Sequence, residues 1–179
     1  MSKFIIRHKS RLTGRCWERE AKHFKWIKTT QALDSFNGLL YGIPKDHIGK
    51  LQQIQNAAAR VVSRTKKHDH ITPVLIKLHW LPVAERIQYK ILLLTYKAIH
   101  GLAPSYIQEL VSITKRDRTL RSNDQLFLEQ PSFQYVTYGE RSFSFAAPHL
   151  WNKLPVSCRK AKTVDCFKTH LKTFIFKQA

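Results

Sequence analysis

The sequence predicts a mainly α fold: a small helical domain around one buried central helix, with a short β-hairpin near 126–137. Three observations predict it. Residues 79–101, HWLPVAERIQYKILLLTYKAIHG, are apolar on nearly every side. The neighbouring segments repeat apolar residues at helical spacing, and only the stretch near 126–137 departs toward a strand-like pattern. In the central stretch Pro82 suits a first turn and Gly101 a stop, which leaves about five turns, on the order of 30 Å. One stripe runs through Val83, Ile87, Ile91, Leu94 and Ala98, and a second through Tyr89, Leu92, Leu93, Tyr96 and Ile99. A helix apolar on both sides must be covered by other elements. With Glu85, Arg86, Lys90 and Lys97 it is too short and too charged to span a membrane.

Taken in order, residues 1–33 mix bases and aromatics (Arg15, Trp17, Arg19, Phe24, Lys25, Trp26) without a clean period, which predicts a loosely ordered basic arm or a short helix. Residues 33–44, LDSFNGLLYGIP, predict a short helix closed by Gly42 and Pro44. Asp46 is the expected N-cap of a second long helix, whose buried face would be Leu51, Ile54, Ala58, Val61 and Val62. Thr72 and Pro73 suit the cap and first turn of a short helix through Leu78. Pro104 opens another short helix carrying Tyr106, Ile107 and Leu110.

Residues 126–129 and 133–137 flank Gln130, Pro131 and Ser132 and are the two halves of the expected hairpin. Residues 141–153 return to helix, with Phe143, Ala146, Ala147, Leu150 and Trp151 apolar and with Pro148 expected to kink it or start a separate turn. Thr163 caps a terminal amphipathic helix facing inward through Phe167, Leu171, Phe174 and Ile175. Three units follow: the arm at 1–33, a helical core unit at 34–111, and at 112–179 a basic irregular segment with a C-terminal helical unit packed on the core.

Charge is the unusual feature. Lys and Arg number 31 against 12 Asp and Glu, a formal net charge of +19. The excess is spread along the chain, with 9 basic against 2 acidic residues in 1–33, 10 against 5 in 34–111 and 12 against 5 in 112–179. A polyanionic partner is implied, and RNA or DNA fits a spread excess better than a membrane surface, which favours one basic amphipathic helix. Three cysteines without paired spacing, Cys16, Cys158 and Cys166, imply reduced thiols in an intracellular protein.

Catalytic chemistry is harder to find. His68, Asp69, His70 and His79, or Cys158, Cys166 and His170, are the candidate metal ligands, but neither set has a zinc-finger or zinc-knuckle spacing, so no metal and no cofactor is expected. A phosphate-cradling glycine loop is missing. The six aspartates, at 34, 46, 69, 117, 124 and 165, never form a pair such as a two-metal polymerase needs. No catalytic residue is assigned.

Three basic clusters are the candidate nucleic-acid contacts: Arg64, Lys66 and Lys67; Lys115, Arg116, Arg118 and Arg121; and Arg159, Lys160 and Lys162. Singly, each reads better as an ordinary solvated loop. Together with the global charge, and with Tyr135, Tyr138 and Trp151 available for stacking, they point to backbone binding. Phe143 and Trp151 read as core residues ahead of stacking platforms.

Several segments, in their order, carry a family resemblance: LDSFNGLLYGIP, LQQIQNAAARVV, DHITPVLIKLHWLPVAERIQYKILLLTYKAIHGLAPSYI, RTLRSNDQ, YGERSFSFAAPHLWNKLP and FKTHLKTFIF. Over residues 30–179 the chain resembles the C-terminal, thumb-like region that follows the palm in reverse transcriptases of LINE-type (non-LTR) retrotransposons. Residues 1–29 lie outside the resemblance, and Phe36 stands where members often carry a cysteine. The resemblance implies a noncatalytic fragment of an RNA-directed DNA polymerase that handles element RNA or target DNA. It implies a nuclear or nucleocytoplasmic location, and as partners the polymerase and endonuclease domains of a parent polyprotein. It also implies a truncated element copy, or a gene model joined to one. The competing reading is a structural or protein-interaction domain whose basic surface reflects its former place in that polyprotein.

Overall fold

The structure is a computed structural model and describes residues 37–114, 126–132 and 139–178. The stretch 79–101 supplies its centre, a helix over Val83–Ile99. Pro82 caps it in an extended conformation, and the first free amide, Val83 N–H, donates to Gln52 Oε1 at 2.8 Å. At the other end Gly101 takes the left-handed conformation (φ 68°), so that Leu102 N–H reaches Lys97 O at 2.8 Å and Gly101 N–H reaches Ala98 O. This is the paired closure that satisfies the last carbonyls of a helix, and glycine adopts it without the penalty a Cβ brings.

Before this helix come a single 3-10 turn at Asn37–Leu40, α1 at Lys45–Ser63 and the short α2 at Thr72–Lys77; the central helix is α3. One-turn α4 (Ser105–Gln108), then α5 (Phe143–Trp151), one-turn α6 (Val156–Arg159) and α7 (Val164–Gln178) complete the described elements. The mainly helical class is therefore as the sequence predicts.

The two stripes of α3 are covered from opposite sides. Val83, Ile87 and Ile91 pack with Ala146 and Ala147 of α5, joined by Leu40 and Tyr41 and by Ile48 and Leu51 of α1. The paired alanines lack side-chain bulk, which lets α5 approach α3 closely. Leu92 and Tyr96 pack with Trp151, Leu154, Cys158, Phe167, Leu171 and Ile175, mostly from α5 to α7. Within this second cluster Tyr96 stacks on Phe167 at 4.3 Å between ring centres, and its buried hydroxyl donates to Ala161 O at 2.9 Å. The hydroxyl of a buried tyrosine needs such a partner.

Several boundaries differ from expectation. Residues 37–40 form a 3-10 turn, because Gly42 (φ 76°) and Pro44 end the segment at once; residues 33–36 lie outside the described residues. Pro44, not Asp46, precedes α1, and Asp46 lies within the first turn, where its charge still suits the helix dipole. Thr72 and Pro73 are the first two residues of α2, capped by Ile71.

The buried face of α1 agrees in part: Ala58 is buried as expected and Leu51 and Val62 are half-buried, but Gln55 and Ala59 join it, while Ile54 and Val61 are 36% and 43% exposed. The glutamines decide this rotation: Gln55 Nε2 donates to Leu81 O at 2.8 Å, beside the Gln52 bond to Val83. Helix α5 runs through Pro148 without a break between elements. Residues 126–129 do pair, but with the chain upstream: Ile113 bridges Leu128 in antiparallel sense, and Asn152 holds Leu128 by both its N–H and its C=O. Residues 133–137, the other half of the expected hairpin, lie outside the described residues.

Candidate nucleic-acid interface

The turn after α1 is the best-defined basic surface. Arg64 ends α1 in the left-handed conformation (φ 56°), which lets Thr65 N–H reach back to Arg60 O at 3.2 Å. Arg60 then spans the turn, its guanidinium donating to Asp69 O at 3.0 Å and to Lys66 O at 3.4 Å. Asp69 accepts from Lys66 N–H at 3.1 Å. One base and one acid thus brace the backbone of the turn, leaving Arg64, Lys66 and Lys67 exposed on its outside together with His68 and His70. A braced turn presents its cations at lower entropic cost than a free loop.

The second group divides. Arg159 is 5% exposed, its Nε donates to Leu154 O at 3.1 Å, and its guanidinium carbon lies 4.3 Å from the centre of the Phe127 ring. Burial lowers its pKa from the ordinary guanidinium value. The expectation that Arg159 contacts nucleic acid is corrected accordingly: it serves packing, held by a carbonyl and an aromatic face. Lys160 and Lys162 are exposed on either side of buried Ala161, whose carbonyl anchors Tyr96. The third group, Lys115, Arg116, Arg118 and Arg121, lies outside the described residues, as do Tyr135 and Tyr138. Trp151 is fully buried with its indole N–H donating to Leu126 O at 2.9 Å, and so is no stacking platform.

One basic line was missed in the sequence. Arg86, Lys90 and Lys97 share one side of α3 and are half-buried. Their spacing of four and then seven residues places them on one face, a signal that was legible but was weighed only against a membrane span.

A pocket of about 650 Å³ lies where the 3-10 turn, α1, α3 and α5 meet, lined by Tyr41, Lys45, Gln88, Arg141, Phe145 and His149 among others. Burial raises the Tyr41 phenol, with Glu140 adding to it. His149 is pushed below the ordinary imidazole value, first by burial and then by the Lys153 ammonium, which donates to its Nε2 at 2.8 Å. Among the described residues, no three His, Cys, Asp or Glu side chains converge as a metal site, and no helix is long and apolar enough to cross a membrane. No family model, no curated protein and no solved structure matches the chain.

Proposed function

We propose that this chain is a noncatalytic nucleic-acid-binding fragment, similar to the post-palm region of a LINE-type reverse transcriptase, that grips the RNA or DNA backbone. The observation that carries the reading is the turn after α1, where Arg60 and Asp69 are spent on bracing and three further cations face outward under a net charge of +19. Phosphate contacts of this kind position a strand without reading its sequence. Lys160 and Lys162, and the Arg86, Lys90 and Lys97 face of α3, are the supporting surfaces. The domains that such a fragment would serve are a palm and an endonuclease, in a nuclear or nucleocytoplasmic setting.

A second reading, protein docking, is favoured by one observation. Leu102, Tyr106, Leu110 and Ile113 are each about half exposed or more, the tyrosine 66%, within twelve residues of chain. Salt separates the two readings, because backbone binding weakens steeply as salt rises and apolar docking does not. The test is binding of unrelated RNA and DNA oligomers across a salt series by the parent chain and by the Arg64→Gln, Lys66→Gln, Lys67→Gln variant. The variant is expected to lose affinity for all sequences about equally and to lower the salt slope by about 0.7–0.9 for each phosphate contact removed. No binding by the parent at low salt would overturn the proposal, and an unchanged slope in a folded variant would remove this turn from it.

A further inference from the structure

Helix α7 carries a pair of side chains unrelated to the basic surfaces. Cys166 and His170 lie one turn apart on α7, both exposed, with Cys166 Sγ 3.9 Å from His170 Nε2. The other ring nitrogen, Nδ1, lies 3.3 Å from the backbone carbonyl of Ser157. A carbonyl only accepts, so Nδ1 is the donor in that contact, and Nε2 is the ring nitrogen on the side of the sulfur.

We propose that Cys166 and His170 form a two-ligand binding site for a borderline divalent metal ion of the zinc class. Three features support it. Zinc bonds of ordinary length to sulfur and imidazole nitrogen at a tetrahedral angle set those atoms about 3.5 Å apart, so a rotation of either exposed side chain by a few tenths of an ångström suffices. The Ser157 carbonyl is the outer partner that metal-binding histidines characteristically use to fix ring orientation and tautomer.

The third feature is the setting of the thiol. Cys166 is exposed in the first turn of α7, where its own amide donates to Thr163 Oγ1 at 3.2 Å and its sulfur is left facing solvent and His170. On binding, the sulfur gives its proton to solvent, the metal takes its place between Sγ and Nε2, and water fills the remaining positions. Cys158, the other cysteine of the described residues, takes no part: it is 2% exposed and burial raises its thiol pKa. Lys168, paired with Asp165 at 2.9 Å, and exposed Lys172 are cations close by on α7 that oppose a dication, so the affinity is modest compared with a four-ligand structural site.

The experiment is alkylation of the full chain, read at the Cys166 peptide by mass spectrometry, with and without Zn²⁺. Zn²⁺ should slow Cys166 alkylation by at least about tenfold, which corresponds to about 1.4 kcal/mol, and Co²⁺ should give thiolate-to-metal charge-transfer absorption. His170→Ala should abolish both effects while Cys158→Ser preserves them. His170→Gln, which keeps a polar side chain near Ser157, should behave like His170→Ala and so separate a lost ligand from altered packing. The proposal fails if Zn²⁺ leaves the rate unchanged, or if it protects Cys166 in the two His170 variants as strongly as in the parent chain.

Discussion

Two glutamines hold the entry to the central helix. Gln52 takes the Val83 amide that the helix leaves unpaired, and Gln55, only 1% exposed, donates to the preceding Leu81 carbonyl. Replacing Gln52 with Ala strands that amide and should cost about 1 kcal/mol in chemical denaturation, with the slope on denaturant unchanged. His149 makes a second prediction, in pH. Its imidazole is held below the ordinary value of about 6.5, so the folded state resists a proton that the unfolded chain accepts. The stability it contributes is complete above that value and lost as pH falls from there through the folded pKa. Thermal melting between pH 7.5 and 5.5 should therefore fall more steeply for the parent than for His149→Gln, and parallel curves would show that the histidine does not matter.

Helix ends were legible at some places and not at others: Asp46 and Thr72 lie inside their helices where caps were expected. Thr163 was readable as a cap, and its hydroxyl does accept the Cys166 amide; Gly101 was readable as a stop, and its φ is positive. Both signals are local and need nothing beyond neighbouring residues. The face of α1 was misread because apolarity alone placed Ile54 and Val61 inside, whereas bonds to residues 26 and 31 positions away turned Gln55 and Gln52 inward instead. Of the candidate interface, charge clusters were visible as residues, but that Arg60 braces their turn and that Arg159 is buried depended on tertiary contacts. Helix α1 ends with Arg64 in a left-handed conformation that a Cβ disfavours. Arg64→Gly should accordingly raise stability by about 0.5–1 kcal/mol, less than the relieved strain because glycine also frees the unfolded chain. A drop in melting temperature would contradict this account of the turn.

At the scale of the molecule, everything depends on α3 being covered on both sides. Ile91 is 3% exposed among Ile87, Ala146 and Ala147. Ile91→Asp puts an uncompensated charge there and should cost several kcal/mol, enough to unfold a chain of ordinary stability. A melting curve unchanged by Ile91→Asp would remove α3 from the centre of the fold. Both coverings are completed only after α3 is made, the first by Ala146 and Ala147 of α5 and the second by α7. Leu51 and Ile48 precede α3 in the sequence, but the partners of Leu92 and Tyr96 on α7 reach to Ile175. A ribosome adding about 5–20 residues per second takes on the order of 4–15 s to travel from the end of α3 to that point. For that interval the nascent chain carries an uncovered apolar stripe, a natural substrate for holdase chaperones, and a ribosome stalled before Val164 would leave it permanently adhesive.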